Sequence, residues 1–116
     1  NILQEVYSSL QILAASVQPV KYNYKDVTAS CTVYVYDQLV RADSTAGAML
    51  VTLPLASTCT GRRYTIKRID ASANAVTLAP TSPELMDGSG TAVTIASMEA
   101  IEVQAGTDYW DIVSKT

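Results

Sequence analysis

The side chains of this chain that could carry chemistry are carboxylates, phenols, hydroxyls and two thiols, because it contains no histidine. The commonest general base and commonest transition-metal ligand are therefore both missing. Ser57, Ser72, Ser89 and Cys59 have no imidazole to activate them, so a conventional nucleophilic triad is unavailable within the chain. Acid–base cleavage of a glycan would need a facing pair of carboxylates. Asp70, Glu84, Asp87, Glu99, Glu102, Asp108 and Asp111 fall mostly at turns or on the polar phase of strands, where a solvated carboxylate is the ordinary occupant. The expectation is a protein that is not an enzyme and needs no cofactor. Asp87 and Asp108 lack the ligand-dense spacing of a calcium loop, so no metal is expected.

Cys31 and Cys59 have no CxxC spacing, and the amino-terminal segment lacks the basic start and small-residue cleavage site of a secretory signal, so buried free thiols are the simplest expectation. Their redox state stays open. Arg62, Arg63, Lys67 and Arg68 form the one local basic cluster, but the cations fall on both parities of a strand-like segment. A strand with a solvated face explains them, and the formal net charge of −3 argues against a nucleic-acid partner. Tyr22, Tyr24, Tyr34, Tyr36 and Tyr109 could stack on saccharide rings while their hydroxyls satisfy polar groups. The same alternating tyrosines could instead pack on one sheet face or between subunits.

Positioning such residues requires a folded scaffold. With 48% hydrophobic and 16% charged residues the chain is too apolar and too weakly charged to remain disordered, and 116 residues suffice for one domain. A domain of this size buries a modest fraction of its surface alone, so oligomerisation is the expected stabilising device. No apolar run reaches the length that spans a bilayer, so membrane insertion is not expected. The chain starts at Asn1 rather than Met, which leads us to expect processing or an upstream segment.

Residues 1–18 predict a short helical coiled-coil stem. Leu3, Val6, Leu10, Leu13 and Val17 are spaced three, four, three and four apart, a heptad seam that Pro19 closes. Ile2, Tyr7, Ser9, Ala14 and Ser16 flank the seam where a dimeric zipper would carry Glu and Lys, and this broader seam suits three helices. Two heptads are fewer than the three or so that make the pattern diagnostic. A single amphipathic helix packed on its own β domain is the competing arrangement.

Residues 19–116 predict a small antiparallel β-sandwich or barrel-like domain, so the fold class is mainly β. Alternating, β-branched and aromatic segments place strands at 21–25, 32–36, 38–42, 49–53, 64–69, 75–79, 92–95, 100–104 and 109–113. Gly-, Pro-, Ser- and Asn-rich turns separate them. Val51, Leu53, Ile66, Val76, Leu78, Val93, Ile95, Ile101, Val103, Trp110 and Ile112 hold the inward phase, with Thr52, Thr65, Thr77 and Thr94 opposite.

The ordered segments AGAMLVTLP, TGRRYTIKRIDASANAVTLAP, ELMDGSGTAVTIA and MEAIEVQAGTDYWDIV resemble a recurrent domain of bacteriophage tail fibres, tailspikes and capsid fibres. The resemblance covers about 39–113. Pro54, Gly61, the Asp87-Gly88 turn and Trp110 stand where that domain has its strand stop, loop glycine, hairpin and closing anchor. Asp108-Tyr109 before Trp110, and the front section 21–38, depart from its usual pattern. The resemblance implies a homotrimer located in the virion and assembled in the host cytoplasm. Its implied partners are its own copies and other virion proteins of the capsid, tail or baseplate. A tail-fibre module that recognises a host cell-surface glycan is the alternative.

Overall fold

The computed structural model describes residues 23–116. The expected stem with Leu3, Val6, Leu10, Leu13 and Val17, and also Tyr22, lie outside the described residues. Within them the chain forms β1 (Tyr24–Val27), β2 (Cys31–Thr32), β3 (Leu39–Ala42), β4 (Met49–Thr52), β5 (Arg63–Arg68), β6 (Val76–Ala79), β7 (Val93–Ile95), β8 (Ala100–Ala105) and β9 (Trp110–Lys115). A single 3-10 turn occupies Ala56–Thr58.

Two sheets result, one ordered β1-β3-β5-β8-β9 and the other β2-β4-β6-β7. The expectation of an antiparallel fold is corrected. β1, β3 and β5 run parallel, as do β2, β4 and β6. Antiparallel pairing is confined to β5 with β8, β8 with β9, and β6 with β7. From β1 to β6 the chain alternates between the sheets, so each return to a sheet runs in the direction of the strand it joins. A strand of the opposite sheet thus serves as the crossover that parallel neighbours require.

Side-chain alternation places one face of each sheet inward. Val40, Ile66 and Ile101 align across β3, β5 and β8, and Val51, Leu78 and Val93 align across β4, β6 and β7. The inward rows of both sheets join in one core that also takes in Tyr64, Met86 and Trp110. Val93 and Ile112 are only half-buried, being on the edge strands β7 and β9. Thr52, Thr65, Thr77 and Thr94 face outward, as the period-two pattern requires.

The expected strand at 32–36 ends at Thr32. Asp37 stops it, because its Oδ2 accepts the Tyr34 N–H at 2.8 Å while its own N–H donates to the Tyr34 carbonyl at 2.9 Å. A side chain that bonds nearby backbone offers the chain a turn in place of a ladder. Gly61 at φ +86° and the pair Asp87 at φ 51° and Gly88 at φ 85° occupy the left-handed region that their positions in turns demand.

Three groups expected in solvent are buried instead: Arg68, Asp70 and Glu84. Arg68 shares the inward phase of β5 with Tyr64 and Ile66. Its guanidinium donates to the carbonyls of Ile95, Ser72 and Asn74 at 2.7–3.1 Å and lies 3.4 Å from Asp70. Asp70 accepts the Ser44 N–H at 2.9 Å and the Ser72 hydroxyl at 2.6 Å. Glu84 accepts the Ala56 N–H at 2.8 Å, supplying a partner for the start of the 3-10 turn. Among the described residues every buried side-chain nitrogen and oxygen has a partner, as a low-dielectric interior requires.

Candidate functional site

The alternating path sorts the loops to two ends of the sandwich. At one end lie Asn23 before β1, the 33–38 turn before β3, Gly61-Arg62 before β5 and the 106–109 turn between β8 and β9. The described tyrosines other than Tyr64 collect there. Tyr24 is 63% exposed, Tyr34 61%, Tyr36 54% and Tyr109 43%. Tyr34 and Tyr36 do not share a strand face. They project from the Asp37-stopped turn and meet edge to face with ring centres 5.4 Å apart.

Between this turn and β5 opens a cleft of about 680 Å³, lined by Tyr36, Gln38, Arg62, Arg63, Thr65 and Glu102 among others. The Arg62 guanidinium lies 4.9 Å over the Tyr36 ring, a cation–π contact, and its Nη1 donates to the Val35 carbonyl at 2.7 Å. That carbonyl also accepts the Tyr64 hydroxyl at 2.7 Å. Burial raises the Tyr64 phenol's pKa well above its ordinary value, so this hydroxyl stays protonated and serves as a fixed strut. Asn23 closes the cleft's rim, donating its Nδ2 to the Tyr36 carbonyl at 3.0 Å. The turn carrying two tyrosines is thereby held from Asn23, Arg62 and Tyr64 at once.

Charge in and beside the cleft is mostly compensated. Asp37 pairs with Lys25 at 2.8 Å, and Glu102 pairs with Arg63 at 3.1 Å. Arg62 has no carboxylate within ion-pair distance among the described residues. Arg62, Gln38 and Asn23 had not been singled out as site residues from the sequence. Arg62 was marked only as a member of the basic cluster and as the residue after a turn glycine, and neither carries information about a ring packed beneath it.

The carboxylates weighed for acid–base chemistry mostly have other engagements. Asp70 belongs to the buried network, Glu84 meets the Ala56 N–H, Asp87 accepts the Ile112 N–H at 2.8 Å, and Glu99 accepts the Ala96 N–H at 3.1 Å. Cys31 and Cys59 are free thiols, one half-buried and one buried, and burial raises the Cys31 pKa. Among the described residues no three of His, Cys, Asp or Glu are grouped so as to hold a metal ion, and no helix is long and apolar enough to cross a membrane.

Tyr109 is held by a local fit. A Cβ built on Gly106 would run into the Tyr109 ring, so the ring occupies space that only glycine leaves open. Gly106→Ala is expected to swing Tyr109 away, seen as altered ring resonances by NMR. It should change unfolding stability by no more than about 1 kcal/mol, since an exposed ring can move.

No protein-family model matches the chain, and a search of curated proteins finds no match to it.

Proposed function

We propose that the chain is a bacteriophage virion structural protein, a homotrimeric fibre, spike or capsid-decoration component. It attaches to capsid, tail or baseplate proteins through its N-terminal stem, projects the β domain and performs no catalysis. The observation that carries this is the outer face of the second sheet. Thr32, Leu50, Thr52, Thr77, Ala79 and Thr94 point outward there, and none is charged. The outer face of the first sheet, by contrast, displays Asp26, Arg41, Arg63, Lys67, Glu102 and Asp111. Copies of an acidic chain repel one another, so close contact between them is favoured through a face that carries no charge. Leu50, 44% exposed and aligned with Thr77, sits within that face.

Two variants test it. Leu50→Lys with Thr77→Lys places two cations where copies would meet, and light scattering should report smaller species while the near-ultraviolet circular dichroism of the fold is kept. Leu10→Asp with Leu13→Asp should do the same through the stem, because buried charge at a helical seam is strongly unfavourable. An unchanged mass in both counts against the assignment. Immunogold labelling of intact particles would distinguish a head from a tail location.

The second function, host-glycan recognition by a tail-fibre module, is favoured by one separate observation. Tyr24, Tyr34, Tyr36 and Tyr109 are exposed at the same end of the sandwich, and there Tyr36 lines a polar cleft.

A further inference from the structure

The geometry points to the Tyr36–Arg62 cleft as a binding site for an acidic saccharide, one whose sugar ring bears a carboxylate. This rests on the glycan-recognition function just described and names its ligand class; it is independent of the trimer. Three features of the cleft converge.

The first is charge. Asp37 and Glu102 have their own cations, which among the described residues leaves Arg62 as the one charge lining the cleft without an ion-pair partner. A single guanidinium matches a single carboxylate. Its planar fork can donate two parallel hydrogen bonds, and the Tyr36 ring packed 4.9 Å away holds that plane in place.

The second is the absence of an apolar socket. Among the described residues the lining is Tyr, Asn, Asp, Gln, Arg, Thr and Glu, with no aliphatic side chain. A peptide carboxylate would bring apolar side chains that find no pocket here. A sugar brings hydroxyls, for which Gln38, Thr65 and the second carboxylate oxygen of Glu102 supply donors and acceptors in close array. The third is size and shape. A volume of about 680 Å³ falls within the usual range for small-ligand sites. Tyr36, 54% exposed, lines the cleft and can meet the C–H side of a pyranose, with Tyr34 edge to face beside it.

The full chain would be placed on a glycan array of glucuronate-, galacturonate- and sialate-bearing oligosaccharides, each beside its methyl-esterified or carboxyl-reduced counterpart. Any binder would then be titrated by NMR. The expected result is a preference for the acid over its uncharged counterpart of about tenfold or more, the size set by a charge-assisted hydrogen-bond pair. That preference should shrink as salt is raised, and the perturbed resonances should be those of Tyr36, Gln38 and Arg62. Arg62→Gln should abolish the preference and Arg62→Lys should retain part of it, with melting followed to confirm the fold. The comparison of acid with ester in the unaltered chain stands even if a variant misfolds. Equal binding of acid and ester at the cleft would overturn the acidic ligand while leaving glycan recognition intact. No perturbation of the cleft by any saccharide would overturn both.

Discussion

Replacing Trp110 with alanine should remove a large part of the stability of the β domain. The indole is fully buried, stacks edge to face on Tyr64 with ring centres 5.5 Å apart, and donates its Nε1 proton to the Pro54 carbonyl at 3.2 Å. Its backbone N–H donates to Leu85 and its carbonyl accepts from Asp87. One residue therefore joins the end of β4, the 80–92 loop and the first position of β9. Truncating a buried tryptophan costs about 3–5 kcal/mol through lost transfer energy and the cavity left behind. Small domains hold only about 5–15 kcal/mol in total. Urea titration of Trp110→Ala should show a large loss of midpoint, or no cooperative transition. Trp110→Phe should recover part of the packing and forfeit the Pro54 bond. A Trp110→Ala protein as stable as the parent would mean that the closing strand is not anchored there.

The second large effect concerns acid. The Asp70 carboxyl is held well below its ordinary value of 3.8, first by the Ser44 N–H and then by the Ser72 hydroxyl, which outweigh the opposing desolvation. A depressed folded-state pKa stabilises the fold above the unfolded value, and the contribution drains away as pH falls below it toward the folded value. The parent should therefore lose stability steadily as pH drops below 3.8. Asp70→Asn should be less stable at neutral pH, because its amide nitrogen cannot accept from Ser72, and should lose less on acidification. Urea midpoints measured across pH for both proteins check this. Parallel acid profiles would remove Asp70 from the explanation. Arg68→Met should also be severe, since it strips donors from the Ile95, Ser72 and Asn74 carbonyls. Each unmet buried group costs about 1–3 kcal/mol.

These two sites differ in how far the chain itself announces them. Trp110, Ile66 and Leu78 were legible as core because period-two alternation states which side chains face inward, and the turn chemistry of Gly61 and Asp87-Gly88 marks where the chain reverses. Strand direction was not legible. An inward-facing residue is the same in a parallel and an antiparallel pair, and only the chain's path from sheet to sheet makes β1, β3 and β5 run together. Arg68 could have been placed, because it holds the same phase as Tyr64 and Ile66. Its charge argued for solvent, and the acceptors that make burial tolerable are backbone carbonyls, of Ser72 and Asn74 in the turn that follows and of Ile95 across the fold, which side-chain pattern does not report. Glu84 and Asp70 escaped for the same reason.

The cleft lay still further from view. Tyr34 and Tyr36 alternate as strand residues do, yet Asp37 folds them into a turn, and the nearness of Tyr36 to Arg62 follows from which ends of β3 and β5 coincide. Local pattern identifies the aromatic residues, and tertiary path assembles them.

Sedimentation equilibrium of the full chain over a wide dilution series weighs the proposed assembly most directly. A species of three subunit masses that persists at low concentration, and breaks down when Leu50 and Thr77 or Leu10 and Leu13 are charged, is the predicted result. A folded species of one subunit mass at every concentration would contradict it.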